Sequence, residues 1–267
     1  MDTNLLFSVI DFLKEQPVNV IQLTFSQKLK ENGKFSGYKS YTPNMDEDLK
    51  KEILQLSLND IEQYRSKNLV RYNPIGCIDE TYEVVVLKDS EKEKLELYTE
   101  SLSIADHVDT TIDPSELTFY ALSLEVNIDN QKRSIILFRR LSKFKRLQSK
   151  GLMAYFSGKE LNKLDAKVFG IDGTVDMIKI DDQLFIFNHV SIERIFDMAD
   201  IYHDMTVKAL GVLKNLKRIE NFEIFEEDCK NDMRVKRALT KMMNESNDLK
   251  NAFDNFDNIK KQLACLN

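Results

Sequence analysis

With 267 residues, 42% hydrophobic and 31% charged, the chain can bury a sizeable core and has the composition of a globular protein, which excludes disordered and collagen-like classes. A net charge of −6 argues against a uniformly basic nucleic-acid coat, and eight glycines leave little material for a phosphate-cradling loop. No apolar run approaches the roughly eighteen residues of a membrane span. The start of the chain carries Asp2 and Asp11 in place of a basic leader, so a cytoplasmic protein is expected.

In chain order, Leu5, Leu6, Val9, Ile10 and Leu13 recur at helical spacing between Asn4 and Glu15, and Pro17 stops that helix. Val18–Ser26 and Lys34–Thr42 read as strands joined across Glu31-Asn32-Gly33. Lys28, Lys30, Lys34 and Lys39 lie there beside Tyr38 and Tyr41, and solvated lysines on a sheet edge account for them without a ligand. Asp46–Lys67 is a helix opened by three acidic residues at the positive end of its dipole, with Leu49, Ile53, Leu56 and Ile61 as its stripe. Tyr82–Leu87 is a β-branched strand and Glu91–Ile104 a charged helix. The loop from Asp106 to Pro114 divides an N-terminal α+β part, residues 1–112, from a second part, residues 113–267.

Leu117–Ile128 alternates, with Tyr120, Leu122, Leu124, Val126 and Ile128 on one face, and Asp129-Asn130-Gln131 turns it into a strand from Arg133 to Arg140. Between Asn130 and Lys159 there is no carboxylate. Arg139, Arg140, Lys143, Lys145, Arg146 and Lys150 fall there within twelve positions, interleaved with Phe138 and Phe144. Such a cluster can displace counterions from a phosphate backbone while exposed aromatics stack on bases, so these six residues are the candidate DNA contacts. The bland alternative makes both phenylalanines core residues and the cations a cover for the sheet edge. An anionic lipid surface would suit the same cluster.

Val175–Ile180 and Leu184–Phe187, parted by Asp181-Asp182-Gln183, predict a hairpin whose unbroken apolar character requires a sheet covered on both faces. Asn188 or Ser191 caps a helix carrying Ile192, Ile195 and Phe196. Helices are then expected over Met198–Leu216, around Lys230–Met243, and from about Asn247 to the end, the last presenting Leu249, Phe253, Phe256, Ile259 and Leu263 for docking or self-association. The expected fold is α+β: antiparallel hairpins forming a sheet in the N-terminal and middle parts, followed by a helical C-terminal bundle.

Catalytic readings are weak. Cys77, Cys229 and Cys265 are too far apart for a zinc knuckle and read as reduced structural thiols; His107, His189 and His203 lack ligand spacing. Glu83, Glu125, Asp172, Asp176 and Asp181 are candidates for holding Mg²⁺ in a nuclease, but Glu125 is followed by Val126 and Asn127 instead of the Glu-x-Lys such sites use. No metal, no cofactor and no catalytic residue is therefore expected.

The run Val175 to Phe196, an isoleucine-rich hairpin, an Asn turn and a helix ending Ile-Phe, resembles the core signature of the KwaB-like family of the two-gene Kiwa anti-phage defence system. The resemblance extends from roughly Thr118 onward and brings no catalytic residue with it. It implies a non-catalytic, DNA-binding defence component, a homodimer, that works with a small membrane-embedded Kiwa partner protein and is recruited by it to the inner face of the membrane. A metal-dependent nuclease and a protein-interaction module recognising an acidic partner are the rival readings.

Overall fold

The structure, a computed structural model, describes residues 3–16, 18, 21–76, 78–87, 89–103, 106–107, 116–128, 130–141, 154–157, 160–163, 171–217 and 219–245. Its helices are α1 (Thr3–Glu15), α2 (Glu47–Glu62), α3 (Asp89–Ser103), α4 (His189–Phe196), α5 (Ala199–Leu216), α6 (Phe222–Asn231) and α7 (Met233–Glu245). Its strands are β1 (Ile21–Glu31), β2 (Lys34–Thr42), β3 (Asn68–Arg71), β4 (Thr81–Val86), β5 (Asp106–His107), β6 (Phe119–Ile128), β7 (Gln131–Arg140), β8 (Ala154–Ser157), β9 (Glu160–Lys163), β10 (Met177–Ile180) and β11 (Gln183–Ile186). The chain forms two compact units: one takes in residues 1–71 and 78–197, the other residues 72–77 and 198–267.

Nine strands of the first unit form one sheet in the order β3-β4-β11-β10-β7-β6-β1-β2-β5, and β8 pairs with β9 as a separate ribbon. The fold is α+β, as expected. Three hairpins lie where their turn residues put them: Asn32 (φ 51°) with Gly33 (φ 81°), Asn130 (φ 59°), and Asp181 (φ 52°) each supply the left-handed backbone that a tight turn needs. The sheet is nevertheless mixed. β3–β4 and β2–β5 run parallel, because both pairs are joined by crossovers and not by tight turns. The expected division at residue 112 differs from the division of the fold, since β1 pairs with β6 from Ile21↔Leu124 to Ser26↔Phe119 and so joins segments from both sides of it.

The alternation predicted for β6 holds: Tyr120, Leu122, Leu124, Val126 and Ile128 are buried, facing α1 and α2 through Leu6, Ile10, Ile53 and Ile61. The opposite face packs under α3 and α4, where Phe138 meets Tyr98, Phe119 and Phe196 at centroid distances of 5.6 to 6.0 Å. The β10–β11 hairpin is thus covered on both faces, with Met177, Ile178, Ile180 and Phe185 wholly buried. Beside the aromatic cluster that second face is polar: Ser26 and Ser40 share a hydrogen bond of 2.9 Å, and Ser40 and Ser101 one of 2.6 Å.

In α2, Asp46 caps the first turn by accepting the Asp48 and Leu49 amides at 2.8 and 2.9 Å, as its sequence position suggests. The helix ends at Glu62, short of the expected Lys67, because the chain turns into β3 at Asn68.

In the second unit α5, α6 and α7 pack around Ala209, Leu210, Leu213, Cys229 and Leu239, and Tyr72 shares a 2.7 Å hydroxyl contact with Tyr202. Cys229 is a free buried thiol whose pKa burial pushes up, in keeping with a structural role. The helix expected around Lys230–Met243 is α7, which begins at Met233, and α6 before it was not expected. Asp232 ends α6 and begins α7 by accepting the Arg234 amide at 2.7 Å. The helix expected from Asn247 lies outside the described residues, as do Cys77 and Cys265.

Gly173 shows how closely the loop before β10 approaches α2. A Cβ there would stand 2.7 Å from Leu56 Cβ and 2.8 Å from the Leu56 carbonyl oxygen. Gly173→Ala is expected to destabilise the protein by about 1–3 kcal/mol through overpacking, measured as a lower denaturant midpoint at unchanged slope.

Candidate nucleic-acid interface

The candidate cations do not share one surface. β7 runs antiparallel to β6 with Arg140 opposite Phe119 and Arg139 opposite Tyr120, so consecutive arginines point to opposite faces of the sheet. Arg139 points towards the α1–α2 face and is committed there: Nε and Nη2 donate to Asp172 at 3.0 and 3.1 Å, and Nη1 donates to Asp176 at 3.0 Å. Burial works against its charge, but the Asp172 and Asp176 carboxylates outweigh that and hold its pKa above the usual arginine value. Asp176 has no exposed side-chain surface and also accepts the Arg140 amide at 2.6 Å. Asp60, from α2, joins this group by accepting the Val175 amide at 2.9 Å. Its pKa is raised by burial, which the Val175 amide and Arg139 only partly offset.

Arg140 points towards the α3–α4 face at the sheet end where β7 stops and β1 overhangs. The Leu141 amide bonds the Thr118 carbonyl, and the Lys28 amide bonds the Thr118 hydroxyl, which brings β1, β6 and β7 together there. Lys28 and Lys30 each stand 3.6 Å from the Asp197 carboxylate, and Lys94 donates to the Asp197 carbonyl at 2.6 Å. Asp197 ends α4 in the left-handed conformation, so these lysines also answer the negative end of the helix dipole. Burial lowers the Lys28 pKa, with Asp197 opposing. Lys30 is 52% exposed, and Lys34, Lys39 and Arg194 are exposed beside it or along the same hairpin and helix. This is a basic sheet end with one carboxylate at its centre.

Of the six candidate contacts, only Arg139 and Arg140 are described; Lys143, Lys145, Arg146 and Lys150 lie outside the described residues, as does Phe144. Phe138 is fully buried, so it belongs to the core and offers no stacking surface. Lys28, Lys30 and Arg194 were absent from the candidate set because they come together only in the fold, where both lysines meet Asp197 and Arg194 lies near Lys28.

Of the carboxylates weighed as Mg²⁺ ligands, Asp172 and Asp176 share Arg139, and the other three stand apart with partners of their own. Glu83 contacts His189 Nδ1 at 2.8 Å, Glu125 contacts Lys132 at 2.8 Å, and Asp181 contacts Arg133. Among the described residues no three of His, Cys, Asp and Glu are grouped to hold a metal ion, and no helix is long and apolar enough to cross a membrane.

Two predictions follow from the Arg139 group. Arg139→Ala leaves the buried Asp176 charge without its partner and is expected to lower stability by about 3–5 kcal/mol, whereas Arg140→Ala changes it by no more than about 0.5 kcal/mol; urea unfolding of both variants checks this. The raised Asp60 pKa means that the folded chain holds that proton more tightly than the unfolded chain does. Its stabilising contribution is complete below the ordinary carboxylate pKa and is lost as pH rises through the raised value. Asp60→Asn keeps an oxygen for Val175 but does not titrate, so its stability relative to wild type should climb between about pH 4 and about pH 7, measured by thermal melts across that range.

A family model described as Kiwa protein KwaB-like matches residues 120–266, more than half of the chain. The match takes in β6, β7, the β10–β11 hairpin and all the helices from α4 onward. No curated protein and no solved structure matches the chain significantly. On the extent of that match, the chain belongs to the Kiwa protein KwaB-like family.

Proposed function

We propose that the chain is a non-catalytic DNA-binding component of Kiwa anti-phage defence, contacting phosphates through the basic end of its sheet and the basic segment that follows β7. Membership of the KwaB-like family implies a part in Kiwa defence and partner proteins within that system. The observation that carries the DNA reading is a convergence. The run Lys143, Lys145, Arg146, Lys150, free of carboxylates, follows in sequence directly after the strand that ends in Arg140, at the same end of the sheet as Lys28 and Lys30 of β1.

Several cations at one edge release condensed counterions from a duplex without reading base sequence, so the binding would be sequence-tolerant and steeply salt-dependent. The family resemblance adds a small membrane-embedded Kiwa partner protein, which would hold this chain at the inner face of the membrane, and a homodimer. A homodimer would double the number of phosphates within reach and strengthen binding through effective concentration. Catalysis is not part of this reading: Glu125, Asp176 and Asp181 are ion-paired with Lys132, Arg139 and Arg133.

The test is fluorescence anisotropy of labelled duplex DNA across a salt series, in EDTA and then in Mg²⁺, with the DNA run on a gel afterwards. Binding should weaken with a log–log salt slope of about −3 to −5 and leave the DNA intact in both buffers. Combined Arg140→Glu, Lys143→Glu and Arg146→Glu should abolish binding at an unchanged melting temperature; Arg139 is left in place because it holds Asp176. A folded triple variant that binds as tightly as wild type refutes the site. Cleavage confined to Mg²⁺ would make the protein a nuclease, and no binding at low salt would make it a module for an acidic protein partner.

A further inference from the structure

Between α3 and the sheet, the first unit contains a cleft of about 500 Å³, and one row of the sheet forms its floor. Strand register sets Gln22 against Ser123, Ser123 against Ile136, and Ile136 against Lys179, so four strands contribute one residue each to a line across the same face. The roof is the α3 face bearing Leu95 and Thr99. The size falls in the range of about 300–1,000 Å³ usual for small-molecule sites, and apolar groups with a few convergent polar ones are the usual lining of such sites.

Lys179 is the anomaly in that lining. It stands in the second-to-last position of the four-residue strand Met177-Ile178-Lys179-Ile180, whose other three side chains are completely buried, on a strand with neighbours on both sides. A lysine there is expensive unless its ammonium is answered. Burial lowers its pKa, and the nearby Asp182 and Asp181 only partly oppose that. Those carboxylates are taken: Asp182 lies 3.6 Å from Lys92, and Asp181 pairs with Arg133. Glu125, also in the lining, pairs with Lys132 at 2.8 Å. Among the described residues the Lys179 side chain forms no hydrogen bond or ion pair, and Lys179 is part of the cleft lining.

We propose that this cleft is a binding site for a small amphiphilic organic anion, whose acidic head is received by Lys179 and whose apolar body lies against Leu95 and Ile136 beneath α3. Ser123 and Gln22 lie farther along the row, beyond Ile136 from Lys179, and offer polar contacts to the far end of the ligand, while α3 covers the body. The site is separate from the DNA reading, since Lys179 and the basic residues of the sheet end share no ligand, and either can fail alone.

The experiment titrates the intact protein with 1-anilinonaphthalene-8-sulfonate, an aromatic sulfonate whose fluorescence rises on desolvation. Wild type should bind one probe saturably. Lys179→Met, which matches the apolar residues around it and should melt no lower than wild type, should bind at least about tenfold more weakly. Thr99→Phe, which fills the cleft from an exposed helix position, should block the probe to a similar degree and keeps the test decisive if the lysine variant misfolds. The triple charge reversal at Arg140, Lys143 and Arg146 should stay within about twofold of wild type. Octanoate and adenosine monophosphate then compete with the probe. Displacement by either supports the site and names its head group as carboxylate or phosphate. No saturable binding, equal binding by the Lys179 variant, or displacement by neither anion overturns the proposal.

Discussion

A carboxylate without exposed surface has to be satisfied from inside the fold, and Asp176 is satisfied from consecutive residues of one neighbouring strand: the Arg139 guanidinium and the Arg140 amide. Its backbone does as much. The Asp176 amide donates to the Phe138 carbonyl, and its own carbonyl accepts the amides of Phe187 and Asn188, which places the turn into α4. Arg139 carries the connection across to Asp172, and the Val175 amide carries it to Asp60 in α2. One buried charge therefore registers β7 against β10, sets the start of α4 and links the sheet to the helix layer on its other side. Partly satisfied networks of this kind are costly, which is why the pair works only as a unit.

That arrangement decides what the basic run can do. Arg139 and Arg140 look equivalent in the sequence, yet strand alternation sends one into the Asp172–Asp176 group and the other to the basic sheet end. The same alternation takes Phe138 into the aromatic cluster with Tyr98 and Phe196. The run therefore divides at its first two residues: Arg139 is turned into the fold, and Arg140 points to the other face of the sheet.

What the sequence made legible is local. The hairpin at Asn32-Gly33, the acidic opening of α2 and the alternation of β6 depend on residues within a few positions of one another, and each was found where its chemistry put it. Helix α6 is also local but was not expected; Asp232 parts it from α7, the helix that was. The partners of Asp176 and the row from Gln22 to Lys179 were out of reach for a different reason. They depend on the register between strands that are adjacent in space and far apart in the chain, such as β1 with β6, and no single-segment pattern encodes that pairing. A lysine inside an apolar strand was visible all along, but its meaning depends on α3 covering that face.

The mildly acidic total does not weigh against a polyanionic partner, because screening makes such contacts local: beyond about 8–10 Å in physiological salt an exposed charge is largely invisible. What matters is which carboxylates stand near the cations. At the basic sheet end Asp172 and Asp176 are bound up with Arg139, and Asp197 sits between two lysines, so that Arg140 and Arg194 add to a local excess of positive charge. Asp181, Asp182 and Glu125 lie at the opposite end of the strands, where the β6–β7 and β10–β11 turns are, while Glu31, opposite Lys34, stays beside the basic end. The sheet thus separates charge along its strands, and a phosphate backbone approaching the basic end would meet cations whose nearest carboxylates are already engaged.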